Sequence, residues 1–425
     1  MQLLHIIISS IAVFIFLKKA PFSLLFKILF IFGYFIFFEY NIISRNYGLG
    51  VLFLFCALAI YKDRHEKFIL FITFLAIANH VHSIFIILSC ALLGIIFLEM
   101  ILKEDFFLKK KFLIGTLIFG GITALSVIQI IPPSDSIYFE RTTDLSVFEK
   151  LSRSAITFFK GVFFIPDFRM LHFWNTHLIV NLSRPFAIIL GIISIFIPCF
   201  LFFKNKLVMI YAYLGILGTI VFFFVTQVSA PRFFGVHFLL IITGLWINHY
   251  YPFQTNIINS KLPLMLLKNI KKSLIYSMLI TQMIVGITAF YMDLTLPFSN
   301  SKQTITYLKT SNLNNKMVIT QGCGGTPLSS YLEKPIFFLD ADSYESFCKW
   351  NRRIPIVQNP EKALNDSLQK VLNNVNQSVI FISTHSLNTE KQMTLSNSLN
   401  YKFLKGFNSS IVKQESYYIY EISKI

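Results

Sequence analysis

Hydrophobic and polar positions divide the chain into two unlike stretches. Up to about residue 298, long apolar runs alternate with short polar breaks, whereas 299–425 is rich in Asn, Ser and Lys. A helix needs about 20 residues to cross a ~30 Å hydrocarbon core. The runs at 3–17, 20–38, 47–61, 68–79, 83–102, 112–131, 185–203, 207–228, 233–251 and 273–296 predict about ten spans. Residues 155–180, where FFKGVFFIP is followed by Arg169 and His172, read instead as an interfacial or re-entrant helix. The second stretch has helical signals near 301–311 and 361–375 and strand signals at 317–320, 336–339, 379–383 and 417–422, an α/β pattern. The predicted fold is a polytopic α-helical membrane domain over 1–298, with a long loop at 132–184, followed by an α/β domain over 299–425.

Composition agrees with that division: 55% of residues are hydrophobic and 14% charged, against about 25% charged in soluble proteins. The net charge of +17 would suggest nucleic acid in a soluble chain. Here most basic residues of the first stretch lie in short loops between apolar runs, where orientation in a bilayer demands them, and a nucleic-acid partner is rejected. The loops at 18–19, 62–67, 103–111, 204–206 and 261–272 hold most of these cations, while the loops between them hold little more than Arg45 and Arg232. This asymmetry places the first set in the cytoplasm. It leaves 39–46, 79–83, 132–184, 229–232 and the α/β domain outside. It also puts the N-terminus outside, so a further helix is expected upstream.

Ionisable residues at membrane depth point to functional sites, and three groups fall on the predicted outer face. Glu39-Tyr40-Asn41-Ile42-Ile43-Ser44-Arg45-Asn46-Tyr47 opens a helix. Glu39 and Arg45 are either a structural ion pair or a site in which Arg45 holds a phosphate and Tyr47 walls a sugar or isoprenoid. Asn79-His80-Val81-His82-Ser83 interrupts an apolar stretch, either as a hairpin tip or as imidazoles bonding a phosphate or sugar hydroxyl. Two histidines alone do not make a metal site, which needs three or four ligands. Arg232, in Ser229-Ala230-Pro231-Arg232-Phe233-Phe234-Gly235, either snorkels or joins the same anionic cavity. Arg141, in the loop PPSDSIYFERTTD, is placed over that cavity if the loop acts as a lid.

Cys56, Cys90 and Cys199 sit inside apolar runs. Cys323 and Cys348 share the α/β domain and pair only if that domain faces an oxidising compartment. Gly322-Cys323-Gly324-Gly325 lacks the spacing of a nucleotide-binding loop and reads as a tight turn.

The segments FFEYNIISRNYGLGVLFLFCALAIYKDR, ANHVHSIFIILS and PRFFGVHFLLIITGLW, in that order around a long outer loop, resemble bacterial membrane proteins related to glycosyltransferase family 39 of the GT-C superfamily. SYLEKPIFFLDADSYESFCKW resembles their outer-face domain. The resemblance implies sugar transfer from a polyprenyl-phosphate carrier at the outer face of a bacterial inner membrane, to a lipid, glycan or protein acceptor. It also implies an acidic residue acting as base or through a divalent metal, on a first outer loop that has no counterpart in this chain. Glu39 is the acid near the first outer turn, and Arg45, Tyr47, His80, His82, Arg141 and Arg232 are the candidate substrate and phosphate ligands. A non-catalytic protein that binds lipid-linked glycan is the alternative. A transporter is disfavoured, because no internal repeat or broken midplane helix pair is visible.

Overall fold

The computed structural model describes residues 2–103, 106–134, 136, 145–228, 230–251, 264–349, 360–375, 377–387 and 398–425. These fall into two compact units. The first comprises 1–131, 144–167 and 175–291; the second comprises 132–143, 168–174 and 292–425.

The first unit is helical: α1 Gln2–Lys19, α2 Leu24–Ile31, a π-helix Phe35–Ile42, α3 Tyr47–Ala59, α4 Phe68–Val81, α5 Ile84–Lys103, α6 Phe106–Ile130 and α7 Val147–Val162. Next come α8 Leu178–Leu182, α9 Arg184–Ser194, α10 Ile197–Phe202, α11 Lys206–Thr226, α12 Pro231–Asn248 and α13 Leu264–Thr295. Seven of the described helical stretches are long and apolar enough to cross a membrane, or eight if α2 and the π-helix, which meet at 45°, form one span. The ten expected spans thus overcount what helix length supports. The runs at 47–61 and 68–79 are helices of 13 and 14 residues, roughly 20 Å at 1.5 Å per residue, short of the hydrocarbon core. Burial ranks the helices. The apolar stretch of α12 is 78% buried and that of α6 only 17%, so α12 is central and α6 peripheral. Outward-facing side chains on the peripheral helices are apolar, among them Leu3, Leu117, Leu125 and Ile193, a surface that water would not tolerate over such an area.

Residues 155–180 are not a single helix. Helix α7 begins at Val147 with a capping box from Ser146 and Glu149 and buries Ile156 to Phe159 in the bundle. Residues 168–174 belong to the second unit, where the His172 imidazole bonds the Ser410 carbonyl at 2.6 Å and Trp174 lies 5.4 Å from Phe298.

The second unit is a three-layer α/β fold. Its elements are α14 Ser301–Thr310, β1 Val318–Thr320, α15 Gly325–Leu332, β2 Ile336–Phe338, β3 Ser343–Glu345, α16 Pro360–Asn373, β4 Val379–Ser383, β5 Leu399–Phe407 and β6 Tyr417–Lys424. The sheet order is β3-β2-β1-β4-β6-β5, parallel across β2-β1-β4 and antiparallel elsewhere. Alternation along the strands feeds both layers. Ile380, Ile382 and Ile419 pack with Leu308 and Leu328 of α14 and α15, while Val379, Phe381 and Ile422 pack with Leu368 of α16. That two-sided burial explains the uninterrupted apolar run of β4. Gly322 turns the chain out of β1 with φ +72° and donates its N–H to Asp340, and α15 starts three residues later. Cys323 in that turn is disulfide-bonded to Cys348.

Candidate functional site

Four of the sequence-selected residues meet where the π-helix, α3, α4 and α12 end or begin. A π-helix widens the backbone turn, and such turns recur at functional sites. Here it delivers Glu39 and Tyr40 side by side. The Tyr40 hydroxyl donates to the Arg232 carbonyl at 2.7 Å, tying position 40 to the first turn of α12. That approach requires a glycine, because a Cβ at Gly235 would lie 2.1 Å from the Tyr40 hydroxyl oxygen. Tyr40 stacks on Tyr47 at 5.3 Å, and Tyr47 in turn packs on the His82 ring at 4.4 Å and meets Phe233 edge-on at 6.2 Å. The Arg232 guanidinium lies over Phe233, 5.0 Å from the ring centre, and bonds the Tyr47 hydroxyl. Asn46 closes the turn from the other side, donating to the Val81 carbonyl at 2.8 Å.

The electrostatics favour an anion. Arg45 is half-buried, and its guanidinium is held below the usual value by burial and then by the neighbouring charge of Arg232, with Glu39 opposing. A ligand of opposite sign relieves the strain that Arg232 places on the Arg45 charge in this partly dehydrated recess. His82 adds no charge at neutral pH. Burial, then Arg232, pushes it down to about 4. The Ile84 N–H donates to its Nδ1 at 3.2 Å, which leaves the proton on Nε2 as a donor.

Glu39 lies at this site but is fully buried, and its carboxylate accepts a 3.0 Å bond from the Tyr34 hydroxyl. His80 goes elsewhere. It is exposed and bonds Ser126 of α6 at 3.0 Å, while the Ser126 hydroxyl itself donates to Ile122. Arg141 lies outside the described residues. Among the described residues no group of three or more His, Cys, Asp or Glu is placed to hold a metal ion.

No family model, no curated protein and no solved structure matches the chain. The geometry of the site therefore carries the functional reading. The opposite ends of α3 and α12 hold a different arrangement that sequence reading missed. Arg64 grips Glu99 through Nε at 3.1 Å and Nη2 at 2.7 Å, and its third nitrogen donates to the Tyr61 carbonyl. Both charges are buried, and Tyr61 and Tyr251 share a 2.6 Å hydroxyl bond beside the guanidinium. All three guanidinium nitrogens bond protein groups, an arrangement that fastens helix ends together.

Proposed function

We propose that the chain is a multi-pass membrane glycosyltransferase that takes its sugar from a polyprenyl-phosphate-linked donor on the outer face of a bacterial inner membrane. The acceptor is a lipid, glycan or protein, and the α/β domain is extracytoplasmic. The observation that supports this is the convergence of Arg45 and Arg232, from opposite ends of the helical unit's sequence, around Tyr47 and His82. In this reading the two guanidinium groups hold the donor phosphate and stabilise it as the sugar–phosphate bond breaks. Tyr47 and Phe233 supply the apolar wall, and His82 Nε2–H meets a ligand oxygen. The acceptor hydroxyl forms the new bond to the sugar and passes its proton to a base, for which Glu39 is the acid at the site.

A second reading, binding of lipid-linked glycan without turnover, draws on one observation: Glu39 has no exposed surface and is engaged by Tyr34. Incubating the purified protein with a radiolabelled polyprenyl-phosphate sugar separates the two. Release of the sugar from its carrier, abolished in Arg45→Ala, supports the transferase. Saturable binding with the carrier linkage intact supports the second reading. Equal retention of the unphosphorylated polyprenol overturns both.

A further inference from the structure

Helix α7 carries Arg153, Ile156, Thr157 and Lys160, spaced three, four and seven positions apart and therefore on one face. That face lines a cavity of about 270 Å³.

 Arg153, Thr157, Lys160, Arg184, Gln227 and Phe234 are among its lining residues, and none of the residues lining it is acidic. Lys160 is half-buried, with its ammonium 5.0 Å from the centre of the Phe234 ring. Burial, then Arg184 and Arg153, pushes it down to about 8. Glu149 is electrostatically coupled to both arginines, but its carboxylate already accepts from the Ser146 N–H and hydroxyl in the helix cap. Gln227 sits at the end of α11 in the left-handed region, and its Oε1 is buried without a hydrogen-bond partner.

Three cations sharing one small cavity repel one another, and an anion relieves that repulsion. The remaining wall is apolar, from Ile156, Val180, Phe223 and Phe234. Arg184 opens the apolar stretch Arg184–Phe202, one of the seven long enough to cross a membrane, so the mouth lies at the level of lipid phosphates if that stretch spans. The neighbouring aromatics separate the two sites: Phe233 meets Tyr47 and His82, whereas Phe234 closes this cavity. We propose that the cavity binds a phosphate group carried by an amphiphile, at a site distinct from Arg45 and Arg232. The proposal rests on membrane insertion and not on sugar transfer.

The test uses the full chain in non-ionic detergent, with phosphatidic acid, phosphatidylcholine and inorganic phosphate as probes and native mass spectrometry as the readout. Phosphatidic acid should be retained about tenfold more than phosphatidylcholine, and Arg153→Gln with Arg184→Gln should remove that preference. Both arginines are exposed, so the double variant should keep its elution volume, and Arg153→Lys with Arg184→Lys should keep most of the preference. Displacement of phosphatidic acid by inorganic phosphate would support a site for the phosphate alone, and failure to displace it would support one that also uses the acyl chains. Loss of the preference in Arg45→Ala but not in the Arg153→Gln, Arg184→Gln variant would place the phosphate at the other site and overturn the proposal. Equal retention of both lipids, or an equal loss in Lys18→Gln with Lys19→Gln, would overturn the proposal.

Discussion

Replacing Gly235 with alanine tests how the candidate site is assembled. The added Cβ would lie 2.1 Å from the Tyr40 hydroxyl oxygen, 2.8 Å from Phe35 Cδ1 and 2.9 Å from Tyr40 Cζ. Ordinary contact begins near 3.4 Å, so the Tyr40 ring must retreat by about 1 Å, which overpacking in a tight interior makes expensive at roughly 1–3 kcal/mol. The retreat also breaks the 2.7 Å bond to the Arg232 carbonyl, for roughly 1–3 kcal/mol more. The expected loss is therefore about 2–6 kcal/mol, read as a lower unfolding midpoint in detergent by tryptophan fluorescence. Tyr40→Phe removes the closest atom, so the double variant should lose less than the sum of the two single losses. A Gly235→Ala protein within about 0.5 kcal/mol of the parent, or strictly additive losses, would refute this account of the contact.

Three further outcomes follow from the same structure. Arg64→Ala leaves Glu99 buried without its bidentate partner and should cost about 3–5 kcal/mol, measured as a fall in unfolding midpoint or in yield of folded protein. Thiol labelling of the denatured protein should count three free cysteines, Cys56, Cys90 and Cys199, before reduction and five after it; five before reduction would exclude the Cys323–Cys348 bond. For His82, held at about 4 in the fold against about 6.5 in an unfolded chain, the unfolded state binds more protons in between. Its stabilising contribution is complete above about pH 6.5 and is lost as pH falls toward 4. His82→Asn should make unfolding less steeply pH-dependent across that window, and an unchanged slope would contradict the assignment.

Much of the site was legible because lysine and arginine counts assigned loops to faces, and the residues on one predicted face were then grouped. Arg45, Tyr47, His82 and Arg232 do come together. His80 was grouped with His82 on spacing alone, but it still belongs to the last turn of α4 and faces α6, whereas His82 has left the helix with extended backbone. Arg153 was read as part of the long loop and Lys160 as part of a separate interfacial helix, so their shared face on α7 was not seen, although Ser146 and Glu149 already had capping-box spacing. In the second unit, β5 was missed because it is an edge strand whose Lys402 and Lys405 face solvent, which weakens its apolar alternation. Helix α15 was hidden by its glycine-rich start.

The most direct test of the central claim is retention of a polyprenyl phosphate by the purified protein, compared with the matching polyprenol and with Arg45→Ala and Arg232→Ala. Each arginine supplies a charge-assisted bond of roughly 1.5–3 kcal/mol, so each variant should bind at least about tenfold more weakly. The phosphate should dominate over the chain. Equal binding of the alcohol, or undiminished binding in both variants, would contradict the assignment of Arg45 and Arg232 to a phosphate-bearing lipid.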